Sequence, residues 1–126
     1  MPESKQIVDT FHAYADALNR DDAAAAVALF APDAVVRDPI DAPPYEGVDA
    51  IRRFLAGGSG IIRSFTVTGP VCVAGDGRRG AAPLRAVLDF GDGEKTLDAI
   101  DVMTFDDSGR ITAMDAYYGP TNFTDA

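Results

Sequence analysis

Cysteine and histidine are almost absent from this 126-residue sequence, which contains one of each, Cys72 and His12. A single cysteine excludes an internal disulfide, and without a cysteine and histidine cluster nothing resembles a zinc site. Any metal would have to be bound by carboxylates alone, and we expect no metal and no cofactor.

Long apolar runs are also absent, so the sequence predicts no segment that spans a bilayer. The start, MPESKQIV, lacks the basic residues and the apolar centre of a signal peptide. We therefore expect a cytoplasmic protein that does not bind membranes.

Basic residues are few, 11 against 20 acidic ones, and the net charge is −9. This charge argues against nucleic acid, whose phosphates would be repelled, and against anionic membranes. It also disfavours a highly anionic substrate and leaves neutral or cationic ligands.

The residues that are present are typical of a globular protein, with 47% hydrophobic and 25% charged side chains. The length suits one domain, residues 1–126, with a substantial core.

Three helices are predicted in the first half of the chain. Apolar residues recur at helical spacing between residues 4 and 19, at Ile7, Phe11, Tyr14 and Leu18. Asp21 or Asp22 caps a second helix, AAAAVALFA, which should end before Pro32 because a residue preceding proline avoids helical angles. The segment VDAIRRFLAGG, residues 48 to 58, has an apolar side and terminal glycines, which indicate a third helix.

A strand, AVVRD at residues 34 to 38, separates the second helix from the third. From Ile61 the hydrophobic period changes to two, and turns at AGDGRRG, FGDGE and DDSG separate four segments rich in β-branched and aromatic residues. This pattern predicts an antiparallel meander. The fold class is therefore α+β, with the helices covering one face of a curled antiparallel sheet.

Alternation along the segment TLDAIDVMTF distinguishes two aspartates. Asp101 shares its face with apolar residues, whereas Asp98 falls on the other face. The apolar row consists of Leu97, Ala99, Met103 and Phe105. An ionised carboxylate is unfavourable in such a row, and no inward lysine or arginine lies nearby in the sequence. We therefore expect Asp101 to be protonated and to act as a hydrogen-bond donor.

Two further polar groups fall on apolar faces. Tyr14 lies in the apolar stripe of the first helix, and Asp38 shares a strand face with Ala34 and Val36 while Arg37 points away. Taken singly, Tyr14 fits an ordinary core tyrosine and Asp38 fits a turn residue. Together with Asp101 they provide two donors suited to a developing oxyanion and one proton acceptor. This set indicates enolisation next to a carbonyl.

On these residues the sequence resembles the Δ5-3-ketosteroid isomerases, within the nuclear-transport-factor-2-like group of cone-shaped α+β folds. The resemblance is carried by YADALNRDDAAAAVALFAPDAVVRDP, GVDAIRRF, AIDVMTF and GRITAMDAYYG. These blocks occur in the family's order and at close to its spacing, and the mechanistic pattern is that of ketosteroid isomerase itself.

The resemblance implies that Asp38 is the base and that Tyr14 and Asp101 donate to the dienolate oxygen. It also implies an apolar wall for a steroid, since a hydrocarbon ligand is bound chiefly by burial. The candidates for this substrate-binding wall are Phe54, Leu55, Leu88, Met103, Met114 and Tyr118. Leu55 stands where better-known isomerases can have a tyrosine that supports the oxyanion tyrosine, so that support is missing here or comes from elsewhere.

The resemblance further implies a two-fold homodimer. The face of the segment TLDAIDVMTF opposite to Asp101 carries Ile100 and Val102, which we expect a partner to cover.

Two other functions stay open. A related epoxide hydrolase or polyketide cyclase would use an aspartate to activate water or to deprotonate a different carbon acid. Epoxide opening usually relies on an Asp, Arg, Asp arrangement, and no inward arginine is evident because Arg37 points outward. A non-catalytic carrier of small apolar ligands would use the same cone without chemistry.

Overall fold

Three α-helices and eight strands form the part of the chain that the computed structural model describes, residues 2–126. The helices are α1 (Ser4–Asn19), α2 (Ala23–Val27) and α3 (Val48–Gly57). The strands are β1 (Phe30–Arg37), β2 (Tyr45–Glu46), β3 (Ile62–Val67), β4 (Cys72–Val73), β5 (Arg79–Asp89), β6 (Glu94–Phe105), β7 (Ile111–Tyr117) and β8 (Phe123–Asp125). A short 3-10 helix, Pro120–Asn122, precedes β8.

Helix α1 has the bounds that its apolar spacing predicts. Its first turn is closed by the backbone N–H of Glu3, which donates to Oε1 of Gln6 at 2.7 Å. At the other end, the side chain of Asn19 exchanges two hydrogen bonds with the backbone of Phe65 in β3, at 2.6 and 2.8 Å. These bonds hold the end of α1 against the sheet.

Helix α2 is shorter than the sequence predicts. Asp22 caps it as expected, with Oδ1 accepting from the backbone N–H of Ala25 at 3.0 Å, but the helix ends at Val27. Strand β1 already begins at Phe30, which is buried in the core, and it includes Pro32. Proline cannot donate to a strand ladder, and it lies in the stretch after Phe30 where the register between β1 and β7 shifts.

The sheet has the order β2-β1-β7-β6-β5-β3, with β4 also paired to β5 and β8 to β6. Strands β5, β6 and β7 form the predicted antiparallel meander. The prediction of an entirely antiparallel sheet is wrong at one pair, because β1 and β7 are parallel. These strands are distant in sequence, so no hairpin turn sets their relative direction. The first predicted segment is divided into β3 and β4, and β2 and β8 were not predicted.

The helices cover one face of this curved, open sheet, which confirms the predicted fold class. Helix α1 packs on β3, β4 and β5, and α3 packs on β1 and β2. Tyr14, Ile51, Met103 and Met114 belong to the same buried cluster, which lies between the helices and the sheet. Within residues 2–126, no helix is both long and apolar enough to cross a membrane.

Candidate active site

A cavity of about 660 Å³ lies between the helices and the covered face of the sheet. Its volume falls within the range of small-molecule sites, which is roughly 300–1,000 Å³. Helices α1 and α3 contribute to its walls, as do β5, β6 and the residues that follow β1 and β7. Tyr14, Asp38 and Asp101, which come from three different elements, all line it.

Tyr14 and Asp101 lie at the enclosed side of the cavity, with 3% and 5% of their surfaces exposed. The ring of Tyr14 is fixed by edge-to-face contacts with Phe30 and Phe65, at centroid distances of 6.2 and 5.8 Å. Within residues 2–126, neither the hydroxyl of Tyr14 nor the carboxyl of Asp101 has a hydrogen-bond partner. Both polar groups are therefore available to a ligand in the cavity.

The surroundings of Asp101 favour its neutral form. Burial raises the pKa of this carboxyl well above its usual range, and the nearby charge of Asp38 raises it further. Burial likewise raises the pKa of Tyr14 well above its usual range, with additional contributions from Asp101 and Asp38. The carboxyl of Asp101 and the phenol of Tyr14 thus face the same cavity, each in surroundings that favour its protonated form, which can donate a hydrogen bond.

Asp38 follows directly after β1 and has a partner that the sequence did not reveal. The hydroxyl of Tyr118 donates a hydrogen bond to Oδ1 of Asp38 at 2.7 Å. Burial raises the pKa of Asp38, and the hydrogen bond from Tyr118 partly opposes that rise because it stabilises the ionised form. The pKa of Tyr118 is itself raised, first by burial and then by the charge of Asp38. Asp38 is therefore a half-buried carboxylate held in one orientation.

Of the six residues predicted to form the apolar wall, four line the cavity and two do not. Phe54, Leu55, Leu88 and Tyr118 line the cavity. Met103 and Met114 do not, and the expectation that they line it is wrong. They face each other across β6 and β7 and are 0% and 1% exposed within the core. Strand alternation correctly gave the inward direction, but α1 covers this part of the sheet.

Two residues that line the cavity were not predicted from the sequence. Tyr45 stacks on Phe54 at a centroid distance of 4.5 Å and lines the cavity with it. Arg53 also lines the cavity, so the expectation that no arginine faces it is wrong. Its position three residues after Ala50 and four before Gly57, both of which line the cavity, is the helical spacing that points to it.

The described residues contain no cluster of three or more histidine, cysteine, aspartate or glutamate side chains suited to a metal ion.

Comparison with known proteins identifies the class to which this fold and cavity belong. The SnoaL-like domain family matches residues 11–114, and the chain is a member of that family. In overall structure the chain is similar to SalBIII, described as an epoxide hydrolase/cyclase-like enzyme in pyran ring formation in the polyether salinomycin. The TM-score is 0.86, and the alignment covers 97% of this chain and 96% of that one at 23% identity. At this identity the likeness concerns the fold.

A curated relative is more informative about chemistry. The chain is 38% identical over 107 residues to a steroid Delta-isomerase from Nocardioides simplex, and the alignment covers 85% of each chain. This relationship agrees with the resemblance found in the sequence. This relative is an enzyme, which supports a catalytic role for the cavity.

Proposed function

We propose that this protein isomerises Δ5-3-ketosteroids or closely related enones, moving the double bond into conjugation with the ketone. Asp38 takes a proton from the carbon between the ketone and the double bond. The electrons of that C–H bond move into a dienolate whose oxygen accepts hydrogen bonds from Tyr14 and Asp101. Asp38 then returns the proton two carbons farther on, so no atom is gained or lost.

The observation that carries this proposal is the combination of groups in one cavity. Tyr14 and Asp101 are buried, have raised pKa values and lack hydrogen-bond partners in residues 2–126, and Asp38 is an acceptor that lines the same cavity. Donors directed at a developing oxyanion in a water-poor site are worth more than the same donors in water. A carrier of apolar ligands would gain nothing from two unsatisfied donors and a base in its cavity.

The pKa of Asp38 suits this task. Because burial raises it, the carboxylate is a stronger base than an exposed aspartate and accepts a carbon-bound proton more readily. The hydrogen bond from Tyr118 keeps the rise limited and fixes the direction in which Oδ1 points. The hydrogen bond from Tyr118 thus favours the ionised form of a carboxylate whose strength as a base burial has increased.

The epoxide hydrolase alternative would need an arginine between two acids. Arg37 does not line the cavity and instead donates a hydrogen bond to Asp115 at 3.3 Å. Arg53 does line it, but this residue is exposed, whereas Asp101 is 5% exposed. We therefore favour isomerisation and treat hydrolysis as an outcome that the following experiment can reveal.

The test is to mix the purified protein with 5-androstene-3,17-dione and to follow the conjugated enone by ultraviolet absorbance. We expect rapid product formation, and we expect Asp38→Asn to lower kcat by about 10²- to 10⁴-fold while steroid binding persists. A flat trace with tight steroid binding would support the carrier. A flat trace with hydration of a terpene epoxide would support the hydrolase.

We also propose that two copies form a two-fold dimer through the outer face of the sheet. Ile100 of β6 lies opposite Tyr117 of β7 on that face, and these side chains are 49% and 50% exposed. An exposed apolar patch of this kind favours association, and a two-fold axis would present the same patch from both copies.

A further inference from the structure

Arg53 is a cation at the solvent side of the cavity. It belongs to α3, is exposed, and lines the cavity together with Phe90, which is 58% exposed. Tyr14 and Asp101, by contrast, are 3% and 5% exposed. The cavity therefore has an enclosed side with the hydrogen-bond donors and an open rim with an arginine and an aromatic ring.

The guanidinium of Arg53 has no partner within residues 2–126. On a helix its natural partner is Asp49, four residues earlier. Asp49 instead accepts a hydrogen bond from Nη1 of Arg52 at 2.8 Å, which leaves Arg53 free beside the cavity. This is unusual in a chain with 20 acidic residues and 11 basic ones.

Each other lysine or arginine in the described residues has an acidic partner or neighbour. Ion pairs join Lys5, Arg20, Arg37, Arg52, Arg63, Arg78, Arg79, Arg85 and Lys95 to aspartates. The charge of Arg110 acts on Asp106. The unpaired cation thus stands where a bound substrate would meet solvent.

We propose that Arg53 binds a carboxylate on the part of the substrate remote from the ketone. The substrate class would then be apolar ketones that carry one acidic group, and this inference rests on the proposed function. The planar guanidinium matches a carboxylate with two parallel hydrogen bonds. A multiply charged group such as a phosphate fits less well, because one arginine offsets little of the protein's net charge of −9.

The shape of the cavity supports this arrangement. With the ketone oxygen at Tyr14 and Asp101, an apolar skeleton in a cavity of about 660 Å³ extends towards the rim. The far end of such a skeleton would meet the exposed part of the lining, to which Phe90 and Arg53 belong. A neutral ketone uses the enclosed part of the cavity alone, whereas an acidic ketone also uses the rim.

The experiment compares two substrates that differ in charge at one position, 3-oxoandrost-5-ene-17β-carboxylate and its 17β-carboxamide. We expect Arg53→Gln to lower the ratio of kcat/KM for carboxylate over carboxamide by about fivefold, the size of a partly exposed ion pair. Arg78→Gln is the matched control, because it removes the same charge from an exposed arginine that pairs with Asp107 and does not line the cavity. In this control the ratio of kcat/KM for carboxylate over carboxamide should stay unchanged.

A ratio that Arg53→Gln leaves unchanged, or that Arg78→Gln lowers equally, would overturn the proposal. Raising the salt concentration gives a second measurement, since it should lower the ratio in the unaltered protein and not in Arg53→Gln. Binding of the two conjugated products by calorimetry separates this proposal from the proposed function. If neither steroid is turned over but the carboxylate product still binds more tightly only when Arg53 is present, isomerisation fails and the Arg53 site stands.

Discussion

Asp98 and Asp101 are three residues apart on β6, and their environments are opposite. Asp98 is exposed and accepts two hydrogen bonds from Arg85, at 2.8 and 3.0 Å. These bonds hold the pKa of Asp98 below its usual range. Asp101 faces the cavity without such a cation, and burial raises its pKa. The direction of the side chain therefore determines which carboxyl can donate a hydrogen bond to a ligand.

Substitutions at these two positions test the oxyanion donors. Asp101→Ala should lower kcat by about 10²- to 10³-fold because it removes one donor, whereas Asp101→Asn should retain more activity because an amide still donates. Asp98→Ala is the control and should change turnover little, since its side chain faces solvent on the other side of the sheet. Steady-state kinetics with the neutral steroid would measure all three. A loss of activity at Asp98 with none at Asp101 would contradict the assignment.

The hydrogen bond between Tyr118 and Asp38 predicts a change in pH dependence. Tyr118→Phe keeps the ring but removes the donor, so the pKa of Asp38 should rise further. Because the base must be ionised, the acid limb of the kcat/KM profile should move to higher pH. Tyr117→Phe, next to it but exposed on the opposite face, should leave the limb in place. An unmoved limb in Tyr118→Phe would show that the hydrogen bond does not tune the base.

Asp101 should also lower stability near neutral pH. Its pKa is higher in the folded than in the unfolded protein, where an aspartate titrates near pH ~3.9. The unfolded state therefore binds fewer protons, and the free energy of unfolding falls as pH rises from about 4 towards the raised pKa. Asp101→Asn lacks this titration, so its stability relative to the unaltered protein should be greater at pH 7 than at pH 4. Urea unfolding of both proteins at pH 4 and pH 7 measures this difference in stability. A difference of the same size at the two pH values would contradict the prediction.

At the scale of elements, close packing of α1 on β5 positions Tyr14 over the cavity. Gly80 of β5 lies directly under this helix, and a Cβ added there would be 2.9 Å from Cγ2 of Ile7 and 3.0 Å from Cε1 of Phe11. Ile7 is completely buried and cannot move aside easily. The absence of a side chain at Gly80 thus permits the helix to approach the strand.

Gly80→Ala should therefore destabilise the protein by about 1–3 kcal/mol, the usual effect of overpacking. The matched control is Gly75→Ala, in the turn between β4 and β5, where an added Cβ would meet nothing within 4 Å. Urea unfolding of both variants would measure the difference. Equal stability of the two would show that α1 moves to accommodate the methyl group.

At the scale of the whole molecule, the two faces of the sheet have different surroundings. One face holds the core and the cavity, and the other carries the patch at Ile100 and Tyr117 that we propose to be a dimer interface. Ile100→Lys should convert a dimer into monomers at micromolar concentration, because two like charges would meet across the two-fold axis. His12→Lys, on the exposed side of α1, adds a charge elsewhere and is the control. Sedimentation of the unaltered protein as a monomer would contradict the dimer.

The amino-acid sequence by itself determined which side chains face inward along single elements. The spacing of α1 placed Tyr14 in the buried stripe, and alternation along β6 separated Asp101 from Asp98. These predictions held because 3.6 residues per helical turn and two per strand repeat are properties of the local backbone. Helix α3 and the β5 to β7 meander were predictable for the same reason.

Only the tertiary structure decided how distant segments meet. Tyr118 and Asp38 are 80 residues apart in the chain, and their hydrogen bond depends on the parallel pairing of β1 with β7. The same holds for Met103, which faces inward but is covered by the core instead of lining the cavity. Side-chain periodicity determines the face of an element on which a side chain lies. What that side chain contacts depends on how whole elements pack against each other, and this packing cannot be predicted from a local sequence pattern.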